Sequence, residues 1–230
     1  MFERWITALH TEDAGLEEHA ATRERFKDRF PKNATRRMTQ LGLLVGASLE
    51  PLAPAETDTL VYASAFAESR ALEGYIDSFP SASPTLFQTS IHPSAVQQAL
   101  IIRQQAVRQF FPLTGGACLP AQALQTALLA ETPRVLLCGG DERGTWLLEN
   151  AAASGRAFAF ALALSPSPEN ALARLTLTSV NGTVSAVQSH ENVSSTGAPF
   201  DLPAFFDVLH TRRAFAGDIA PSLRLTLDWL

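Results

Sequence analysis

At 230 residues, with 46% hydrophobic and 18% charged side chains, the chain suits one large domain with a sizeable core, and global disorder is excluded. A formal charge of −5 argues against broad nucleic-acid binding, and no apolar run reaches the roughly 18 residues a membrane span needs. The two cysteines, Cys118 and Cys138, stand outside any CxxC or Cys/His cluster, which argues against a disulfide framework and a structural zinc site. Met1 to Asp13 carries Glu3, Arg4, Glu12 and Asp13 and has no signal-peptide h-region, so a cytoplasmic location is expected.

No repeat of fixed period and no inter-domain linker is visible. A short strand is predicted around Trp5–Leu9, then an acidic turn. Ala34 to Glu50 reads as one helix, with Asn33 as its cap and Met38, Leu41, Leu44, Val45 and Leu49 near helical spacing. Leu60–Ala65 is a short buried strand. Thr89 or Ser90 opens the next helix, with Pro93 in its first turn, running to about Arg108. Phe110–Thr114 is a strand ending in a sharp Gly115-Gly116 turn, and a helix follows from about Pro120 to Leu129. Val135–Cys138 is a buried strand with a Gly139-Gly140 turn after it. Arg156–Leu164 and Leu175–Val180 are further strands, separated by the Ser165-Pro166-Ser167-Pro168 loop. The last segment, from Ser189, is less regular, with a helix over Leu202–His210 and a terminal strand over Leu223–Trp229. The order β-α-β-α-β-α-β-β argues for an α/β sheet covered on both faces.

Charge is unevenly spread. Between Thr22 and Arg37 stand Arg23, Arg25, Lys27, Arg29, Lys32, Arg36 and Arg37 against only Glu24 and Asp28, a local net charge of +5. Such a patch suits an acidic protein partner; a solvated helix face with scattered surface arginines is the simpler reading. Cys118 follows Thr114-Gly115-Gly116-Ala117 at a strand-to-helix junction, where a helix start draws a thiol toward thiolate. A nucleophilic cysteine also needs partners, usually histidines. None of His10, His19, His92, His190 and His210 lies in a Gly-rich strand end, and an ordinary buried cysteine is the competing reading. His92 either hydrogen-bonds the backbone near a helix start or lines a pocket. Gly139-Gly140-Asp141-Glu142 lacks phosphate-loop spacing, and its two carboxylates would repel phosphate, so tight turning and close packing account for the glycines. No HExxH or GxSxG motif and no recognisable carboxylate pair occurs.

Several segments, in order, resemble the N-terminal half of a β-ketoacyl synthase. They are Arg36-Arg37-Met38-Thr39 with its small-residue helix, Leu60–Ala65 followed by Phe66-Ala67-Glu68, Val135–Glu142, and the strand Arg156–Leu164. The most specific is Ser83-Pro84-Thr85-Leu86-Phe87-Gln88-Thr89-Ser90-Ile91-His92, similar to the SPTLFxxSVHN signature of short ketosynthase-like proteins; Pro93 stands where that signature has Asn. The resemblance covers roughly residues 34–180 of a single domain, with 181–230 as a less regular extension. It implies a thiolase-like layered α/β fold, N-terminal half only, in αβα layers. In that family subunits pair through the strand beside the nucleophile, and the catalytic histidines come from the second half.

By this resemblance the nucleophile position falls at Ala117 or Cys118. The chain is expected to be a non-catalytic, chain-length-factor-like partner of a full-length β-ketoacyl synthase in type II fatty acid or polyketide systems such as aryl polyene clusters. Phe87, Ile91, His92, Ala95, Phe111 and Leu113 would lie near the shared interface or acyl tunnel. Arg23, Arg25, Arg29, Arg36 and Arg37 would dock an acyl carrier protein. No cofactor or metal is implied. A lone half-fold would leave an apolar face uncovered. Two other readings stand beside this one: a free-standing acyl-transfer enzyme using Cys118, and a homodimeric scaffold binding an acyl carrier protein.

Overall fold

The computed structural model describes residues 1–180 and 200–230, so His190 lies outside the described residues. In chain order the elements are β1 (Phe2–Gly15), α1 (His19–Arg25), α2 (Lys32–Thr35), α3 (Gln40–Leu49), β2 (Thr59–Ser64), α4 (Ser69–Asp77), α5 (Pro84–Ser90) and α6 (Ser94–Ile102). There follow β3 (Gln109–Thr114), α7 (Leu119–Leu129), β4 (Val135–Asp141), α8 (Trp146–Glu149), β5 (Ala157–Ser165), β6 (Ala173–Ser179), α9 (Leu202–His210), β7 (Phe215–Ala220) and β8 (Leu223–Trp229). The strands form one sheet in the order β3-β2-β4-β5-β1-β6-β8-β7. Only β3, β2 and β4 run parallel; every other pairing is antiparallel. No helix among the described residues is long and apolar enough to cross a membrane.

Strand β5 shows how the sequence makes a layered core. Its alternation of large and small residues sends Phe158, Phe160, Leu162 and Leu164 to one face and Ala157, Ala159, Ala161 and Ala163 to the other. The large residues pack with α7 and α9, where Phe158 meets Phe206 at 4.7 Å and Phe160 meets Phe205 edge-on at 5.4 Å. The alanine face is shallow enough for α3, all of whose residues are buried, to lie directly on the sheet beside α6. Each face is thus helix-covered. The apolar face expected to be bare is closed by the chain's own C-terminal part: α9 lies over it, and β6, β8 and β7 extend the sheet.

Several sequence expectations are corrected. The helix anticipated over 34–50 breaks at Arg36–Thr39. There the Thr39 side chain, not Asn33, caps α3 by accepting the Gly42 N–H at 2.9 Å. Thr89 and Ser90 end a helix instead of starting one. That helix, α5, opens on Ser83, which accepts the Leu86 N–H at 3.3 Å ahead of Pro84, and the next begins only at Ser94. Helix α4 was not anticipated. Gly139 and Gly140 form no turn; they lie inside β4 against β5. Strand β1 is 14 residues long, because its polar half is held by the β5 ladder from Trp5↔Ser165 to Gly15↔Ala157. It also separates β5 from β6.

Candidate functional site

Among the described residues strand β3 is a sheet edge, paired only with β2. It delivers the chain to the Gly115-Gly116-Ala117-Cys118 elbow, where the Leu119 N–H donates to the Gly116 carbonyl and the Gln122 N–H to that of Cys118, both at 3.0 Å. Cys118 is exposed, which overturns the buried reading; the buried cysteine is Cys138, whose thiol burial pushes up. The Cys118 thiol has no hydrogen-bond partner among the described residues. Nor do the described histidines serve it by hydrogen bonding. His92 bonds Glu68, His210 shares a 2.9 Å hydrogen bond with Thr11 Oγ and stacks on Phe206, and His19 and His10 bond no thiol.

The titratable groups gather instead behind β2 and β4. Glu68 Oε1 accepts the Ala95 N–H at 3.0 Å at the start of α6, and its Oε2 lies 3.1 Å from His92 Nδ1. The His92 ring stacks on Tyr62 at 5.2 Å. Glu142 Oε2 accepts the Leu41 N–H at 3.1 Å at the start of α3. Glu73 accepts from the N–H groups of Thr145 (2.7 Å) and Leu147 (2.8 Å) at α8. Asp141 Oδ1 accepts from Ser64 Oγ at 2.8 Å and from the Phe66 N–H at 3.2 Å. The three buried glutamates therefore each satisfy donors that a helix start leaves unpaired.

Their ionisation follows their surroundings. Burial raises Asp141 to about 7, against the opposing hydrogen bonds from Ser64 and Phe66. Burial likewise raises Glu142 to about 7, opposed by the Leu41 N–H. For Glu73 burial acts in the same direction, but the Leu147 and Thr145 N–H groups and Arg70 outweigh it and hold it low. Tyr62 is driven up by burial and then by the nearby carboxylates. This arrangement ties helices to strand ends. Among the described residues no group of three or more His, Cys, Asp and Glu side chains is placed to hold a metal.

The residues expected at an interface or tunnel do not behave as one set. Phe87 and Ile91 are each 49% exposed and Phe111 39%. Leu113 is half-buried against the core, His92 is engaged with Glu68 and Tyr62, and Ala95 is fully buried in the first turn of α6. The arginines also divide. Arg25 bridges Glu12 and Glu17, and Arg29 bridges Glu12 and Glu50 and donates to the Ala47 carbonyl, so both are internal fasteners. Arg23, Arg36 and Arg37 make no ion pair among the described residues, and Arg36 and Arg37 are exposed. Of the glutamates behind β2 and β4, Glu68 and Glu142 close two of the segments that resemble a β-ketoacyl synthase, whereas nothing in the sequence singles out Glu73.

No protein-family model matches the chain, and no curated protein matches it in sequence. Solved structures do. A complex described as ketosynthase (ApeO) with its chain length factor (ApeC) from Xenorhabdus doucetiae contains a chain that superposes with a TM-score of 0.68 at 19% identity, covering 99% of this chain and 100% of that one. The ishigamide ketosynthase/chain length factor gives 0.58 at 11% identity over 78% of this chain and 68% of that one. A β-ketoacyl synthase from Burkholderia phymatum STM815 gives 0.55 at 11% identity over 78% and 65%. The chain has the layered, thiolase-type α/β fold of ketosynthases and their chain-length-factor relatives.

Proposed function

We propose that the chain is a non-catalytic, chain-length-factor-like subunit that pairs with a full-length β-ketoacyl synthase in fatty acid or polyketide assembly of the aryl polyene kind. The observation that carries this reading is the end-to-end likeness to a chain of nearly equal length in a ketosynthase–chain length factor complex. The open edge of β3 offers a row of unpaired backbone groups with Phe111 exposed beside them, the form of surface a second sheet extends. Phe87, Ile91 and Leu113 then face the ketosynthase or its acyl tunnel. A bulky side chain there limits chain length, since one methylene too many costs about 1–3 kcal/mol. Arg36 and Arg37, exposed and without an ion pair among the described residues, are then available to meet an acyl carrier protein.

Co-expression with a ketosynthase and a carrier protein tests the pairing. The two chains co-purify and condense malonyl units together, and neither does so alone; a chain that stays apart from every ketosynthase offered overturns the reading. The exposure of Cys118 favours one alternative, acyl transfer through that thiol. Intact mass after exposure to an acyl-carrier thioester distinguishes it: an adduct lost in Cys118→Ser supports acyl transfer, and an unshifted mass removes it.

A further inference from the structure

Helices α4, α5 and α6 are nine, seven and nine residues long, too short to hold their form without tertiary support. A buried acid stands where all three meet. Glu68 is 1% exposed, and its carbonyl accepts the first hydrogen bond of α4, from the Leu72 N–H at 2.9 Å. Its Oε1 accepts the Ala95 N–H at 3.0 Å in the first turn of α6. Its Oε2 lies 3.1 Å from Nδ1 of His92, in the segment that joins α5 to α6. The His92 ring is held a second time by stacking on Tyr62, 5.2 Å away at 21°, and Tyr62 is fully buried in β2.

The residue next to His92 is Ile91, which closes α5 and is 49% exposed, one turn after the equally exposed Phe87. The backbone around Ile91 is pinned from within: the Ser94 N–H donates to its carbonyl at 2.8 Å, and Ser94 Oγ donates to the Thr89 carbonyl at 2.6 Å. Phe87 rests on Tyr75 of α4 at 5.4 Å. Both outward side chains therefore take their place from the joint beneath them more than from packing of their own. Glu142 and Glu73 serve the starts of α3 and α8, which carry no residue expected at the interface. Glu68 alone among the three buried glutamates lies under residues that are.

We propose that Glu68, acting through His92, is a positioning residue: it sets where Ile91 and Phe87 stand at the partner surface, and thereby the acyl length that the assembled pair favours. This rests on the ketosynthase-paired function proposed above, and neither Glu68 nor His92 has to touch the acyl chain. An apolar wall discriminates roughly 10–200-fold per methylene, so a small displacement of Ile91 reads out in product length.

The chemistry of the tie dictates the variants. Glu68→Gln keeps both hydrogen bonds, its carbonyl accepting the Ala95 N–H and its amide N–H donating to His92 Nδ1. The imidazole proton then moves to Nε2, which has no hydrogen-bond partner. His92→Phe keeps a ring to stack on Tyr62 and loses the bond to Glu68, while Ala95 stays capped. Leu177→Val, in the core at β6 on the far side of β1 from β5, lowers stability without touching the joint.

Two measurements on the full chain test the proposal. In the lone chain the carbon-13 methyl resonance of Ile91 moves in His92→Phe and holds its position in Leu177→Val. In the pair with ketosynthase and carrier protein, His92→Phe changes the ratio of adjacent product lengths about fivefold or more. Glu68→Gln stays within about twofold of the parent, and Leu177→Val leaves the ratio unchanged although its thermal midpoint falls. A ratio unmoved in His92→Phe, or moved as far in Leu177→Val or Glu68→Gln, overturns the proposal. A parent chain that pairs with no ketosynthase removes the function proposed above; in that chain a moved Ile91 methyl still upholds the tie, and an unmoved one removes it as well.

Discussion

A Cβ on Gly139 would stand 2.2 Å from the Ala63 carbonyl oxygen and one on Gly140 2.1 Å from that of Phe158, whereas one on Gly116 would meet nothing within 4 Å. The two glycine pairs look alike in sequence, each near the end of a strand. At the end of β4 everything is taken up: the glycines admit the backbones of β2 and β5, and Asp141 and Glu142 go on to bond Ser64, Phe66 and the start of α3. Beside β3 the elbow is open, the thiol is exposed and Phe111 faces outward. The difference teaches where the chain completes itself and where it leaves a surface for another molecule. Its polar side chains are spent on architecture, and its one exposed thiol is left unsupported.

The largest expected break in that comparison is Gly139→Ala. No rearrangement short of moving β2 relieves a 2.2 Å contact with backbone, so a loss of more than about 4 kcal/mol and an unfolded chain by circular dichroism are expected. Gly116→Ala changes the stability of the lone chain by no more than about 0.5 kcal/mol. Equal effects of the two would erase the contrast.

Glu68→Ala comes next. It strands the Ala95 N–H and His92 in the interior and is expected to cost roughly 3 kcal/mol in urea unfolding. The loss of the same order in Cys118→Ser would contradict the account, which gives that thiol no structural role.

The pH dependence has a definite sign. Asp141 and Glu142 sit at about 7 in the folded chain and near about 4 when unfolded. Between these values the folded state holds more protons, so their contribution is complete below about pH 4 and is lost as pH rises through about 7. Glu73, held low, acts in the opposite sense, its contribution being lost as pH falls through its folded value. Thermal midpoints of the parent relative to Asp141→Asn should therefore fall across that window; a parent that gains on the variant as pH rises would refute the buried carboxyl. Smallest in stability is Phe111→Asp, within about 0.5 kcal/mol for the lone chain, although co-purification with a ketosynthase is expected to be lost. Retained co-purification would move the interface away from β3.

Much of this architecture was legible in the residues. Strands β2, β4 and β5 announce themselves as apolar, β-prone runs bounded by turn residues, and α9 and β8 fall on their expected spans because each carries a clear period. Helix α4 was hidden because Leu72 and Ile76, which would mark an inward stripe, face outward. The polar half of β1 was hidden because backbone pairing with β5 holds it, which no side-chain pattern records. At the site, the motif from Ser83 to His92 pointed to the right fold. The shared role of the glutamates did not show, since three carboxylates far apart in sequence become one kind of group only when folding brings helix starts to them. Nor did the break at Arg36–Thr39, whose flanking residues all suit a helix.

The most direct test of the central claim is a condensation assay with malonyl-loaded carrier protein on the chain alone, the ketosynthase alone and the two together. Elongation by the pair, with neither elongation nor a Cys118 adduct from this chain by itself, is the result the account predicts. Sustained turnover by the isolated chain, abolished in Cys118→Ser, would contradict it.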